Sequence, residues 1–294
     1  MHPFTTQVPT MKQEEESARI TVVRWDTPFE ILQGTYTRQR FAPHLHETFS
    51  LGAIEVGASM IRYRGRAVTQ HAGDVVVIPA REVHTGEAAS PAGWSYRMLY
   101  LPLDLIENFV SLDHFVFEGP SVADRDLAAR VVALHRALEA GVEPLRGQTA
   151  MADVLHLLQE RHASGAARSV PESQRAASVS CVRDYLEEHF AKTVTLTELA
   201  ALSGVSPFHL SRQFRARYGL PPYMYLELVR VNRAREMLQR GDPISRIAFA
   251  TGFSDQSHLT RRFKRVVGVP PGQYAKTYGT QRAGTHRVGM PRVA

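Results

Sequence analysis

The chain has 294 residues, of which 44% are hydrophobic and 22% are charged, an ordinary composition for a globular protein with enough apolar residues for two domain cores. A single cysteine, Cys181, excludes an internal disulfide framework and is typical of a reducing cytoplasm. The sequence has neither the run of about 18 apolar residues that a membrane span needs nor the apolar core of a signal peptide. We therefore expect a cytoplasmic protein with no membrane partner.

The net charge of +6 is distributed unevenly along the chain. From Arg175 to the last residue, 19 lysines and arginines stand against 8 acidic residues, which gives this part +11 and leaves the rest with −5. A basic half joined to an acidic half is typical of a nucleic-acid-binding protein with a separate partner domain. The alternative is a surface that is merely basic, because charge alone does not distinguish the two.

In chain order, residues 1–18 are polar and are predicted to form a flexible arm. From about Ile20 to Leu101, short runs rich in valine, isoleucine, tyrosine and phenylalanine alternate with glycines. The clearest runs are FSLGAIEVG, SMIRYRG, AVTQHAG, DVVVIPA and SYRMLYL. Closely spaced strands of this kind, separated by turn residues, predict a β-sandwich or a barrel.

A helical period replaces the β pattern between residues 122 and 163. Apolar residues recur at helical spacing in two groups, which Gly141 and Pro144 separate. The groups are Leu127, Val131, Leu134 and Leu138, then Met151, Val154, Leu155 and Leu158. The predicted helices either pack on the β domain or form a dimer interface, and with the strands they define a domain over residues 19–165.

The following segment, residues 166–178, is small and polar and contains a proline, which is typical of an interdomain linker. Residues 179–279 have helical patterning and are assigned to a second, all-α domain. Residues 280–294 are basic and aperiodic, and a disordered tail of this kind can add weak contacts to phosphates.

A first helix-turn-helix unit is predicted from Thr195 onward. Thr195 and Glu198 have the spacing of a capping box, in which each side chain accepts a hydrogen bond from the other residue's backbone amide. Gly204 permits the bend between the helices, and Ser206 and Pro207 are the cap and first residue of the second helix. The predicted inward residues are Leu196, Leu199, Ala200, Leu202, Leu210 and Phe214, and the predicted exposed ones are Phe208, His209, Ser211, Arg212 and Arg215.

The same pattern repeats 48 residues later, at Gly252. Asp242 is the predicted cap and Pro243 the first residue of one helix, and Ser254 is the predicted cap of the next. Leu259 and Phe263 should be buried, while the candidate DNA-reading residues are Gln256, Ser257, His258, Arg261 and Arg262. One such pattern is weak evidence, but two in one basic domain strongly indicate a DNA-binding module.

A helical spacer of about 18 residues, roughly Tyr223 to Arg240, would span roughly 27 Å. That length is compatible with two recognition helices about one turn of DNA apart, roughly 34 Å, in successive major grooves of double-stranded DNA. The residues predicted along its inner side are Leu226, Val229, Arg233, Ala234, Met237 and Leu238. Three arginines of the spacer are expected either to contact DNA phosphates or to lie on a face exposed to solvent; they are Arg230, Arg235 and Arg240.

The segment DPISRIAFATGFSDQSHLTRRFKRVVGVPPGQY resembles the signature of the AraC/XylS family of transcription regulators, and the resemblance covers about Val179 to Tyr278. It implies a seven-helix module with two helix-turn-helix units. Phe208 and Ser211 stand where relatives often have other residues, so the base preference of the first unit does not transfer. The positions that it implies face DNA are Phe208, Ser211, Arg212, Arg215, Gln256, Ser257, His258 and Arg261. Arg212 and Arg261 can pair with guanine and Gln256 with adenine, the alternative for either arginine being a phosphate.

The segment from about Glu30 to Leu101 resembles the cupin-type sensor domains that precede many such modules. The resemblance implies a small antiparallel β-barrel or jelly roll with an internal pocket, followed by dimerisation helices at 122–163. Polar and aromatic residues in this segment are candidate pocket residues. They are His44, His46, Tyr63, His84, Trp94 and Tyr96, with Arg40 and Arg81 as further candidates.

Cupin enzymes bind a metal through two neighbouring histidines, a glutamate and a distant histidine. His44, His46 and His84 match the histidines, but the glutamate position falls near Ser50 or Leu51, which are not acidic. Three interpretations stay open: a zinc or iron site, the polar lining of an organic-ligand pocket, or structural histidines. We assign no metal and no cofactor from the sequence.

The sequence thus predicts a two-domain α+β protein, with a cupin-like β-barrel and dimerisation helices before an all-α double helix-turn-helix domain. The predicted function is a sequence-specific DNA-binding transcription regulator, an activator by family resemblance and not an enzyme. A small-molecule effector, a second copy of the chain and RNA polymerase are its expected partners. The alternatives are a metal-dependent cupin enzyme fused to a DNA-binding domain, and a ligand-independent regulator whose barrel is a scaffold.

Overall fold

The computed structural model describes residues 16–164 and 174–279 and contains a sheet-rich region followed by a helical region. The strands are β1 (Ser17–Val23), β2 (Phe29–Tyr36), β3 (Arg40–His44), β4 (Phe49–Tyr63), β5 (Arg66–His71), β6 (Asp74–Ile78), β7 (His84–Ala88), β8 (Trp94–Leu101) and β9 (Ser121–Ala123). The helices are α1 (Leu103–Glu107), a 3-10 helix at Leu112–His114, α2 (Arg125–Glu139), α3 (Pro144–His162), α4 (Gln174–Glu188), α5 (Leu196–Ser203), α6 (Pro207–Tyr218), α7 (Pro222–Arg240), α8 (Ile244–Ala250), α9 (Gln256–Val267) and α10 (Pro271–Gly279). The predicted basic tail, residues 1–15 of the predicted arm and residues 166–173 of the predicted linker lie outside the described residues.

The strands form one antiparallel sheet in the order β1-β2-β8-β4-β6-β9, with β3, β5 and β7 joined to its β4 side. Strand β4 has 15 residues and pairs with four other strands, so it is the centre of the sheet. Among the described residues, the sheet does not close on itself, because β1 and β9 stand at the two ends of the path. The sheet-rich domain is therefore as predicted, whereas the closed barrel is not seen.

Both faces of the sheet are covered, as strand β6 illustrates. Its alternate residues Val75 and Val77 belong to a core with α2 and α3, while Val76 and Ile78 belong to a second core on the other face. This explains why the sequence DVVVI is continuously apolar instead of alternating. The eight periodic apolar residues predicted for α2 and α3 are all buried, so these helices pack on the sheet within the chain.

The core on the second face continues into the helical region. It includes Leu32 and Ile78 of the sheet and also Val231 of α7 and Phe263 of α9. A third core holds the first helix-turn-helix unit together around Phe214 and also takes in a residue of the sheet-rich region, Leu45. The two regions therefore meet through shared apolar contacts, and the site described below lies at this junction.

The first helix-turn-helix unit has the local features that its sequence predicts. The Thr195–Glu198 capping box is present, Gly204 has a φ of 66°, and Ser206 caps α6 with Pro207 at its first position. Two predicted inward residues of the eight-residue helix α5, Leu196 and Leu202, are instead 41% and 49% exposed. The buried stripe of so short a helix is narrow, and here it contains Leu199, Ala200 and Ser203.

The caps of the second unit differ from the prediction. Helix α8 begins at Ile244 with Pro243 at the cap position, and Asp255, not Ser254, caps α9 by accepting a hydrogen bond from the amide of His258. Asp255 has the extended backbone, with a φ of −162°, that places its carboxylate over the first turn. Gly252 forms the bend as predicted, with a φ of 79°.

In the spacer helix α7, the buried stripe runs through Leu228 and Val231, so Arg233, which was predicted inside, is exposed. No helix in the described parts of the chain is both long and apolar enough to cross a membrane.

Candidate effector pocket and DNA-binding surface

A cavity lies at the second face of the sheet, where the sheet-rich region encloses most of it and the helical region bounds one side. Apolar side chains such as Trp94 and Met98 line part of it, and the helical region closes it with Arg235 of α7 and with Val266 and Val267 of α9. The polar residues that line it are Glu30, His44, His46, Ser50, Ser59, Gln70, His84, Thr85, Tyr96, Tyr100 and Arg235. The pocket therefore combines an apolar wall with a polar one, and both regions of the chain contribute to it.

Most of the predicted pocket residues line this cavity, and three do not. His44, His46, His84, Trp94 and Tyr96 are among the lining residues. The others have different surroundings: Tyr63 is buried in the neighbouring core, exposed Arg40 pairs with Glu87 at 3.3 Å, and Arg81 pairs with Glu47 at 2.7 Å. Arg40 and Arg81 thus form ion pairs with carboxylates of a strand and of a loop. The spacing of residues in the sequence does not predict these pairs.

The three histidines form one cluster on the polar wall. His44, at the end of β3, is opposite His84, at the start of β7, and His46 follows β3 by two residues. The ring centroids are 4.2 Å apart for His44 and His84, 5.0 Å for His44 and His46, and 5.3 Å for His46 and His84. Burial lowers the pKa of His44 and His46 well below the usual value and that of His84 to about 4, so all three rings are neutral at pH 7.

Ser50 lines the cavity from β4. Its side chain is buried, and its hydroxyl has no hydrogen-bond partner among the described residues. A buried polar atom without a partner costs free energy, so such a group marks a place where a ligand atom would be stabilised.

A second polar feature, at the edge of the cavity, is an interdomain cluster of four side chains around Glu30 of β2. The carboxylate of Glu30 accepts hydrogen bonds from Arg235 of α7 at 2.7 Å and from the hydroxyls of Tyr274 and Tyr278 of α10, and Gln239 donates to it at 3.3 Å. Burial opposes the ionisation of Glu30, but the charge of Arg235 and the two hydroxyls outweigh it and hold the pKa of the carboxyl below its usual value.

Sequence reasoning missed this interdomain cluster and left Arg235 either for a phosphate or for a solvated face. Arg235 is directed instead at the sheet-rich region, 205 residues away in sequence from its partner Glu30. The one available signal was Glu30 itself, an acidic residue in the apolar strand sequence FEILQGTY. Arg230, for which the sequence left the same two alternatives, donates to the backbone carbonyls of Phe190 and Lys192 at 2.8 and 2.9 Å, so it holds the segment between α4 and α5.

The predicted DNA-reading residues lie on the two helices that follow the glycine bends. Helix α6 is anchored by fully buried Leu210 and Phe214, and α9 by fully buried Leu259 and Phe263. Their other faces are open: Phe208 is 72% exposed. Arg212, Arg215, Gln256, Ser257 and Arg261 are also exposed, and Ser211, His258 and Arg262 are half-buried.

Among these residues, Arg262 forms an ion pair within the protein. The guanidinium of Arg262 lies 3.2 Å from the carboxylate of Glu227 on α7, which ties the recognition helix to the spacer helix. Arg240, near the end of α7, remains exposed and lies 3.9 Å from Asp242. The geometry thus separates arginines with a structural partner from those that face solvent.

Two helix-turn-helix units behind a ligand-pocket domain define a class of DNA-binding transcription regulators. Residues 27–158 match the family described as AraC-like ligand binding domain, and residues 199–277 match the family described as helix-turn-helix domain. The HTH-type transcriptional regulator YbfI of Bacillus subtilis is 34% identical over 230 residues, which cover 75% of this chain and 82% of that relative.

Two further proteins are similar to different shares of this chain. The activator RhaS of Klebsiella pneumoniae is 39% identical over 82 residues, which are 28% of this chain and 30% of RhaS. The structure of ToxT from Vibrio cholerae is similar with a TM-score of 0.52 at 8% identity, covering 90% of this chain and 99% of ToxT, a likeness of fold. The chain belongs to the AraC family, and it is a DNA-binding transcription regulator with a ligand-binding N-terminal domain.

Proposed function

We propose that a small molecule bound in the cavity controls how the two recognition helices are presented to DNA. The observation that carries this proposal is the position of helix α9. Gln256 and Arg261 are exposed in its first half, whereas Val266 and Val267 at its other end line the cavity. A molecule in the cavity would therefore touch the same helix, about 18 Å long, that contacts DNA.

The contact between α9 and the sheet is close enough to transmit such a change. Gly268, directly after α9, has a φ of 87°, and a β-carbon there would lie 2.9 Å from Cε1 of Phe41 on β3. The interdomain cluster around Glu30 holds α7 and α10 against β2 in the same arrangement. An effector changes DNA binding only if it binds one arrangement more tightly than another, and we propose that these contacts are broken in the second arrangement.

On the DNA side, we propose that Phe208, Ser211, Arg212 and Arg215 enter one major groove. Gln256, Ser257, His258 and Arg261 enter the next, since the helix α7 of 19 residues separates the two units. Arg212 and Arg261 would pair with guanine and Gln256 with adenine, the geometries that suit those side chains. We assign Arg262 to positioning of α9, because it is paired with Glu227.

The remaining parts of the proposal rest on the family. We propose effector binding and dimerisation for residues 19–165 and DNA binding for residues 179–279. We also propose a homodimer that activates transcription with RNA polymerase and has no enzymatic activity. The name of the relative RhaS, a transcriptional activator, supports the activation. Purified protein that turns over substrates of cupin enzymes would contradict the absence of enzymatic activity.

The experiment that tests the proposal is selection of bound DNA from a random pool, with and without a metabolite mixture. We expect one enriched sequence whose affinity changes with a compound in the mixture. Gly268→Ala should change DNA affinity even without added compound, because it disturbs the contact of α9 with β3. Gly141→Ala is the matched control: its φ is 74°, but a β-carbon there meets nothing within 4 Å. No enriched sequence, or equal effects of the two variants, would contradict the proposal.

A further inference from the structure

The three histidines of the cavity wall carry an inference beyond ligand binding as such. We infer that His44, His46 and His84 bind a divalent transition-metal ion such as Zn²⁺, and that its remaining coordination position takes an anionic oxygen of the effector. The metal site stands on geometry alone, whereas the role of the effector rests on the proposed function.

Hydrogen bonds to backbone carbonyl oxygens orient the rings of His44 and His84. Nδ1 of His44 lies 2.7 Å from the carbonyl oxygen of Ala42, and Nδ1 of His84 lies 2.9 Å from that of Glu82. A carbonyl oxygen only accepts, so each Nδ1 donates a proton and, on a neutral ring, Nε2 has a free lone pair. Metal-binding histidines are commonly oriented in this way by a backbone carbonyl behind the ring.

Nitrogen atoms of the three histidine rings lie close enough together to share one metal ion. One ring nitrogen from each histidine lies within 4.8 Å of one from each of the others. A tetrahedral ion with Zn–N bonds of about 2.0–2.1 Å brings its ligand nitrogens to roughly 3.4 Å apart, so modest rotations of the three rings would complete the site. The cluster is built on the paired ends of β3 and β7, which fix the backbone positions of His44 and His84.

The positive charge of a bound metal ion would have no balancing negative charge among its three histidine ligands. Three neutral imidazoles leave a bound divalent ion with its full charge in a buried site, and an unbalanced buried charge is strongly unfavourable. Glu30, the acidic residue among the described residues that line the cavity, is already paired with Arg235. The protein thus supplies three ligands without a balancing carboxylate, and the missing negative charge is expected from the molecule that fills the cavity. The unpartnered hydroxyl of Ser50 lines the same cavity and is available to that molecule.

The test is a titration of the metal-free full-length chain with Co²⁺, followed by visible absorption, and with Zn²⁺ in competition. We expect one ion per chain, and a loss of affinity of at least about 10-fold in His44→Gln, His46→Gln and His84→Gln. His71→Gln, at a side chain that is 69% exposed, is the control and should bind as the unaltered chain does. Circular dichroism verifies that each variant is folded. Absence of stoichiometric binding, or equal affinity in folded His46→Gln, would overturn the site.

A second measurement tests the open position. Acetohydroxamate, a simple anionic oxygen ligand, should change the Co²⁺ spectrum of the loaded chain, and an unchanged spectrum would overturn the part of the inference that concerns the effector. Neither measurement involves DNA. If the ion binds but no compound alters DNA affinity, the proposed function fails and the metal site stands.

Discussion

At the scale of single residues, the buried pair of Glu30 and Arg235 is expected to have a large effect on stability. The two side chains are 8% and 20% exposed, and each would be an uncompensated charge without the other. Such pairs are poor sources of net stability, but the loss of one partner is costly. Their value here is that they join β2 to α7 in one specific arrangement.

Arg235→Met should lower the free energy of unfolding by about 3–5 kcal/mol, because it leaves Glu30 buried without its cation. Adding Glu30→Gln to that variant should recover part of the loss. Urea denaturation measures both effects, with Arg233→Met as control, since Arg233 is exposed on the same helix, pairs with Glu236 at 3.1 Å and lies over the ring of Phe190. Additive effects of the two changes would show that the pair is not coupled.

Arg261→Ala should weaken DNA binding by about 1–3 kcal/mol and relax the preference at one base pair, because a bidentate contact to guanine would be lost. The measurement is fluorescence anisotropy with a panel of site variants. Arg262→Ala is the comparison, because Arg262 is paired with Glu227 and should alter all sites alike. If Arg261→Ala also weakens all sites equally, Arg261 contacts a phosphate.

At the scale of elements, helix α2 is tied to the sheet by a buried polar network. Arg97 of β8 donates to Glu55 of β4 and to Glu139 of α2, both at 2.9 Å, and it lies 3.1 Å from Nδ1 of His135 on α2. Nε2 of His135 donates to the carbonyl oxygen of Leu32 at 3.2 Å. Because Nδ1 accepts from a guanidinium, this arrangement requires the neutral ring.

That network makes stability dependent on pH. Burial, followed by the charge of Arg97, lowers the pKa of His135 from 6.5 to about 4. Between those values the unfolded chain binds a proton that the folded chain does not. The contribution of His135 to stability is therefore full above pH 6.5 and falls by about 1.4 kcal/mol per pH unit as the pH is lowered toward 4, in addition to the contributions of the three cavity histidines, whose pKa values are also lowered.

His135→Gln should remove this contribution, since glutamine can accept from Arg97 and donate to Leu32 without titrating in that range. Urea denaturation at pH 7, 6 and 5, with EDTA in every buffer, measures the slope. His71→Gln, at an exposed position, should keep the slope of the unaltered chain. An unchanged slope in His135→Gln would show that the histidine is protonated in the folded state.

At the scale of the whole molecule, the basic excess lies entirely in the DNA-binding half. DNA affinity should fall steeply with salt concentration, because each neutralised phosphate releases counterions. The slope of log affinity against log salt should decrease by about 1 in Arg240→Ala if Arg240 contacts a phosphate. Arg230→Ala should not change the slope, because Arg230 is bound to backbone carbonyls. A flat salt response would contradict the electrostatic argument.

The features that could be predicted from the sequence depend on neighbours within a few residues. The capping box at Thr195 and Glu198 and the bends at Gly204 and Gly252 are local, because backbone sterics and first-turn amides determine them. The residue that caps α9 does not follow from its sequence neighbours alone. Ser254 and Asp255 are both good caps, and only the path of the chain selects Asp255.

Local patterns of residues therefore predict the two helix-turn-helix units, the β-rich first half and the division of charge between them. Which polar groups meet depends on the folded chain as a whole. It pairs Glu30 with Arg235 and closes the cavity with Val266 and Val267 of a recognition helix. Such contacts join residues that are far apart in sequence, as do Glu30 and Tyr278, which are 248 positions apart, and the packing of two amphipathic surfaces, not any local pattern, brings them together.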